Sequence, residues 1–376
     1  MKRTLIALFL LSTLTISIFG WGFSVHKIIA KTAIERLSGP SLGYFLPLES
    51  QIMIYSTYPD EHQDFEAGTA HFMEIDFYAE PPFDNLRSKI ENYMQTYGEA
   101  IGRGHGYAPW AINKYYHLLV EDIAINSPDV PKIAGILAHF ASDINMPLHA
   151  TVNFEGQMTG QSGIHGLWES AIVDKRFDQS MILPTRTSTV TDIIDASLEN
   201  SKIAWHYAQS LLAIDRSEKA LFEQLSKDSL ISSISYENIL WDSTKWIAAV
   251  QITRSVEFVS TLFQMAYNES KNYIPKAESR PKIVIFKISS NGNDQYVAIK
   301  NAGEKSVNLK GWKISNGEGK YFLFENDFVI DPGRYILVHS GSDAKGLIWS
   351  NSLIWSSHGK AQLFDPDGNM VFEFVY

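Results

Sequence analysis

The 376-residue chain contains no cysteine. Disulfides, thiolate metal sites and thiol nucleophiles are therefore excluded, and any transition-metal site must be built from His, Asp, Glu and backbone atoms. Basic residues are also scarce: 32 Lys and Arg stand against 42 Asp and Glu, a formal charge of −10. The deficit is uneven. Residues 281–376 hold ten basic and ten acidic side chains, and the first twenty hold only Lys2 and Arg3, which leaves 21–280 at −12. So acidic a surface argues against wide, salt-driven binding of polyanions. It does not argue against a phosphate held at a metal ion, because the ion brings its own positive charge. Long apolar runs are missing too. The stretch Leu5 to Phe19 is shorter than the roughly 20 residues a membrane span needs. No later stretch qualifies, so no transmembrane span is expected in the mature chain. Internal repeats and low-complexity tracts are absent.

What is present begins with a leader. Lys2 and Arg3 precede the apolar run, and Gly20 closes it, which is the pattern of a cleavable secretory signal over residues 1–20. The expected location is secreted, periplasmic or cell-surface, with Trp21 first in the mature chain. An uncleaved anchor is the alternative. The composition, 45% hydrophobic and 12% aromatic, is that of a folded protein with a sizeable core. Residues 21–274 carry apolar side chains at helical spacing in Ser24–Leu37, Asn85–Ile101, Pro109–Ala124, Pro131–Asn145, Ile164–Lys175, Val190–Ile214 and Glu237–Tyr267, with a shorter helix at Ser217–Gln224. Gly39–Gly43, Pro81-Pro82 and Gly156–Gly163 read as loops. Residues 275–281 read as a linker. From 282 to 376 the runs shorten to strands separated by Gly, Asn, Asp and Pro, and Asp365-Pro-Asp-Gly368 reads as a hairpin loop. The expected fold is an all-α domain followed by a small all-β sandwich.

The densest chemical pattern is His139-Phe-Ala-Ser-Asp143-Ile-Asn-Met-Pro147-Leu-His149. On a helix, His139 and Asp143 leave one face a turn apart. Pro147 ends that helix and brings His149 in from the next turn. Sixteen residues after His149 stands a second pair of the same spacing, His165-Gly-Leu-Trp-Glu169. Imidazole and carboxylate at i, i+4 are ligands that zinc accepts. One such pair arises by chance as a helix salt bridge, whereas two with a third His between them make a metal signal. If the chain begins at Trp21, its amine and carbonyl can chelate an ion in a five-membered ring beside His26. On the sequence alone the plainer reading is that Trp21 packs in the core and His26 is an ordinary helix residue. Asp60 and His71 read equally as cap or loop residues.

Taken together, these residues resemble the superfamily of zinc-dependent phospholipase C and zinc single-strand nucleases. Trp21, His26, Asp60, His71, His139, Asp143, His149, His165 and Glu169 stand in the order of that family's ligands. The resemblance covers about residues 21–270 and implies an all-α fold around three zinc ions. By position it places Asp60, His71, His139 and Asp143 on one ion and His149, His165 and Glu169 on a second. Trp21, His26 and a bridging Asp143 fall on a third. It implies in-line hydrolysis of a phosphodiester, with Asp60 also orienting the nucleophile. The gap from Asp60 to His71 is shorter than the family's, and His62 is a possible stand-in for Asp60. Glu169 and Gly163-Ile-His-Gly-Leu-Trp-Glu-Ser are closer to the phospholipase branch. The implied substrate is thus a phospholipid head group, with single-stranded nucleic acid as the alternative. A surface binding module with a structural zinc is the non-enzymatic reading. Tyr55, Tyr58, Phe65, Phe72, Phe140, Phe154 and Trp168 lie near the ligands, and one or two of them are expected to touch substrate. His105, in Gly-Arg-Gly-His-Gly, reads as a solvated loop. His117, His206, His339 and His358 have no partner at ligand spacing. The tail resembles a lamin tail domain through Asn301–Trp312, Asp331–Val338 and Leu363–Val371. That implies a binding or tethering role toward a surface or polymer, with Trp312 in its core.

Overall fold

The computed structural model describes residues 21–61, 68–98, 103–184, 189–226, 235–274, 283–303, 306–331, 333–366, 368 and 370–376. The expected signal (1–20) and linker (275–281) lie outside the described residues, as do His62 and Phe65. The chain divides into two compact units between Ile274 and Pro275. The first is helical and the second is a β-sandwich.

The helical unit is organised around Val130–Asp143. Every residue from Ala134 to Asp143 is buried, so this helix runs through the core, with helices on several sides. Phe23–Glu35, Glu49–Tyr55, Ala108–Ala124 and Tyr236–Ser270 all pack against it. The helix ends where expected. Ile144 closes it, and Pro147 opens a 3-10 turn, Pro147–Ala150, that carries His149.

Two expectations need correction. Val190–Ile214 and Ser217–Gln224 form one helix, Ile193–Leu225. The polar stretch that suggested a break contains neither glycine nor proline, so nothing stops the helix there. Asp215 within it is buried and satisfied by Tyr236 Oη and Gln161 Nε2. Gly39–Gly43 is also helical, within Gly39–Phe45. Pro40 stands in its first turn, where the fixed φ favours a helix and the missing N–H costs nothing.

The second unit has strands β1 Ile283–Ser289, β2 Gln295–Asn301, β3 Val307–Asn308, β4 Lys313–Ser315, β5 Tyr321–Leu323, β6 Val329–Ile330, β7 Tyr335–Ser340, β8 Leu347–Ser350, β9 Lys360–Phe364 and β10 Met370–Val375. One sheet runs β1-β2-β7-β8 and the other β10-β9-β4-β5, with β3-β6 as a separate pair. Ile283, Ile285, Val297, Ile299, Val338, Ala361 and Leu363 fill the space between the sheets, and Trp312 packs against them, half-buried. The loop at Asp365 joins β9 to β10 as an antiparallel hairpin, with Gly368 at φ 86° donating to the Asp365 carbonyl.

Candidate metal centre

His139 and Asp143 leave one face of the central helix, and both are fully buried. The Nδ1–H of His139 donates to the Ser56 carbonyl at 2.8 Å, so Nε2 points to Asp143 Oδ2, 3.2 Å away. That bond requires the helix to lie very close to Glu49–Tyr55. Gly135 permits it, since a Cβ there would stand 2.4 Å from Tyr55 Cβ and 2.6 Å from its carbonyl carbon. The short helix Tyr58–Glu61 then brings Asp60 Oδ1 to 3.5 Å from His139 Nε2 and 3.7 Å from His71 Nδ1. His71 closes this group, with Nδ1 3.2 Å from Asp143 Oδ2.

On the other side of Asp143 stand Trp21 and His26. Asp174 accepts from the N–H groups of Ser24 and Val25 at the start of the first helix. Gly22 lies so close that a Cβ would meet Asp174 Cγ at 2.3 Å. Thus anchored, Trp21 is fully buried, its ring Nε1–H donating to the Ser142 carbonyl at 3.0 Å. Its backbone nitrogen lies 3.2 Å from Asp143 Oδ1. His26 donates through Nδ1 to Ser142 Oγ at 2.9 Å, because that hydroxyl gives its own proton to the His139 carbonyl. His26 Nε2 is left facing Asp143 Oδ1 at 3.3 Å.

The third group is His149, His165 and Glu169, all buried. His149 donates through Nδ1 to the His71 carbonyl at 2.7 Å, which ties the third group to the first. His165 lies in a short helix, Ile164–Gly166, that widens into a π-helix over Leu167–Val173, and this turn presents Glu169 Oε2 2.9 Å from His165 Nε2.

All nine residues proposed from the sequence are thus brought together. Three sets, His26/His139/Asp143, Asp60/His71/His139 and His149/His165/Glu169, each offer donor atoms within 4.8 Å of one another. His26 Nε2, both carboxylate oxygens of Asp60, His165 Nε2 and Glu169 Oε2 are buried and make no well-directed hydrogen bond, although His165 Nε2 and Glu169 Oε2 face each other at 2.9 Å and His26 Nε2 faces Asp143 at 3.3 Å. Each such atom costs about 1–3 kcal/mol. One arrangement relieves them together: cations placed among them, for which N/O donors of this kind are suitable. The residues present fit metal ions held by nitrogen and oxygen donors.

The electrostatics agree. Burial disfavours charge on Asp143, but His139 and His26 outweigh it and hold the carboxyl well below its usual range. Burial likewise opposes charge on His139, yet Asp143 and Asp60 push its pKa up to about 9. Glu169 is raised by burial and by the charges of Asp143 and Asp60, and burial with His149 lowers His165 to about 3. Like charges crowded this closely in a dry interior call for a counter-ion.

A cavity of about 170 Å³ opens on His149 and His165, bordered by Phe72, Phe154, Leu148 and Glu74. Of the aromatics singled out in the sequence, Phe72 and Phe154 reach it. Phe140 and Trp168 are core, and Tyr55 and Tyr58 are half-buried. His117, His206 and His358 are exposed, and His339 pairs with Asp294 at 2.7 Å. His105 does more than the expectation allowed. It lies in a turn with its side chain 32% exposed, but it is also bonded to Glu74 and stacked on Phe77, which the sequence did not suggest. The sequence reading also missed the carbonyl of Ser56, the hydroxyl of Ser142 and the carboxylate of Asp174. Ser142 alone had a signal, standing between His139 and Asp143.

Residues 276–376 match the Lamin Tail Domain family. Among solved structures, the alpha-toxin of Clostridium perfringens from avian strain SWCP is similar at 16% identity, with a TM-score of 0.46, over 94% of this chain and 96% of that one. The alpha toxin of Clostridium absonum is similar at 14% identity, with a TM-score of 0.41, over 91% of this chain and 86% of that one. No curated protein matches.

Proposed function

We propose that the chain is a secreted zinc-dependent phosphodiester hydrolase of the phospholipase C type. The observation that carries this is the buried set of eight side chains and Trp21 around Asp143, five of whose side-chain atoms make no well-directed hydrogen bond. Asp60, His71, His139 and Asp143 would hold one zinc, and His149, His165 and Glu169 a second. Trp21 and His26 would share Asp143 on a third. When bound, such ions supply Lewis acidity at a phosphoryl group and a nucleophile at neutral pH. A set of only three protein donors, as at His149, His165 and Glu169, leaves a position for substrate, whereas a structural zinc is closed by four. Asp60 holds its carboxylate where it can orient an attacking water. Phe72 and Phe154 give the adjacent cavity an aromatic lining suited to a cationic head group. The charge of −12 on 21–280 favours this substrate over a nucleic acid. The β-sandwich takes no part in the chemistry and tethers the enzyme to a surface or polymer.

The test sets the chain beginning at Trp21 against phosphatidylcholine micelles and single-stranded DNA side by side. Hydrolysis of the lipid that chelation abolishes and zinc restores is the expected result. Turnover of DNA alone would make the protein a nuclease. Inactivity on both, with zinc bound, would leave a binding module.

A further inference from the structure

The cavity beside His149 and His165 is also lined by Glu74, an ionisable side chain outside the nine-donor set. It is 7% exposed and firmly placed. Its backbone N–H donates to the His105 carbonyl at 2.9 Å, and its Oε2 lies 2.6 Å from His105 Nδ1. The His105 ring is in turn stacked on Phe77, with centroids 3.4 Å apart and planes within 13°. The turn carrying His105 is locked to the segment before Glu74 by an isolated antiparallel bridge between Met73 and Gly106. Gly106 sits at φ 104°, and a Cβ there would meet the Phe72 carbonyl oxygen at 2.2 Å. Two segments 31 residues apart are therefore clamped so that Glu74 is held in one position on the cavity wall, with its carboxyl bonded to His105.

Cleaving a phospholipid on the glycerol side expels an alkoxide, a strongly basic leaving group that needs a proton. None of the nine donors can give one, because each must be deprotonated to hold a metal. We propose that Glu74 is the general acid of the reaction and His105 its positioning residue, an inference that rests on the phosphodiesterase reading above. Water oxygen adds to phosphorus as the bond from phosphorus to the alcohol oxygen breaks. The electron pair of that bond stays on the leaving oxygen, which takes the proton of the Glu74 carboxyl. The proton released by the attacking water returns through solvent to Glu74, so the sum is addition of one water. Burial raises the pKa of Glu74 and Asp76 adds to this, while His105 pulls the other way. Among the described residues, His149 and His165 are the other titratable groups on the cavity wall.

The test compares the zinc-loaded protein with Glu74→Gln, which keeps an acceptor for His105, on two soluble phosphocholine diesters. One releases p-nitrophenolate, which needs no proton to depart, and the other releases an alkyl alcohol. General acids contribute roughly 10²–10⁴-fold. The variant's loss on the alkyl ester should therefore exceed its loss on the nitrophenyl ester by about 100-fold or more, at equal zinc content. Equal losses on the two esters would reduce Glu74 to a structural salt-bridge partner and overturn the proposal. Should the variant not fold, the wild-type protein still decides. Its rates across diesters of increasingly basic leaving groups should fall shallowly, and a steep fall would overturn the proposal. If the zinc-loaded wild type cleaves neither ester, the phosphodiesterase reading itself has failed and this inference falls with it.

Discussion

The Nδ1–H of His139 is committed to the Ser56 carbonyl, so one ring nitrogen remains for a metal, and it is crowded by Asp143 and Asp60. Those carboxylates keep the ring protonated up to about pH 9 in the metal-free chain. With the folded pKa above the ordinary 6.5, this charge stabilises the fold fully below pH 6.5 and ceases to do so as the pH rises through 9. Zinc must displace the same proton. Its apparent affinity should rise about tenfold per pH unit from 7 to 9, read by competition with a chelator, and a flat profile would contradict the assignment. Glu169 gives a second test at this scale. Among the described residues it is one of three protein donors in its group. Loss of an outer-shell partner costs roughly 10–100-fold in metal affinity, and loss of a ligand should exceed that. Glu169→Ala should therefore release one zinc per chain and largely inactivate the protein. Full activity at limiting zinc would rule out this position.

Among the elements, the contact between Val130–Asp143 and Glu49–Tyr55 decides the geometry. Gly135→Ala gains up to about 1 kcal/mol of helix propensity. The new methyl, however, lands 2.8 Å from the Ile52 carbonyl oxygen and closer still to Tyr55. Overpacking of this kind costs roughly 1–3 kcal/mol, so the net effect is destabilising. It should also pull Ser56 from His139. A melting temperature lowered by several degrees together with a weaker zinc site is expected, and an unchanged melt would show that the helices can separate freely. The same elements show what the sequence made legible. His139, Asp143 and His149 follow from spacing and one proline, because their geometry is local. The continuity of Ile193–Leu225 was hidden, because the polar Asp215 is satisfied by Tyr236 and Gln161 from distant segments. The Glu74–His105 pair was hidden for the same reason: no local periodicity joins residues 31 apart.

At the scale of the molecule, the two units have separate cores, one of helical residues and one of strand residues. Deleting 281–376 should leave a soluble helical unit that melts cooperatively and turns over a small soluble phosphodiester nearly as fast as the whole chain. Failure of the truncated chain to fold would mean that the units depend on each other.

The burial of Trp21 has a practical side. A chain that starts at Trp21 offers Asp143's neighbourhood an amine, whereas any residue placed ahead of it offers an amide, which is a poor ligand. Recombinant protein with even one leftover methionine or a tag scar should fold normally yet bind about one zinc fewer, by metal analysis, than protein trimmed to Trp21. Equal zinc in both preparations would remove the amine from the site. An affinity handle therefore belongs after Tyr376, and an inactive preparation should have its first residue checked by mass before its chemistry is doubted.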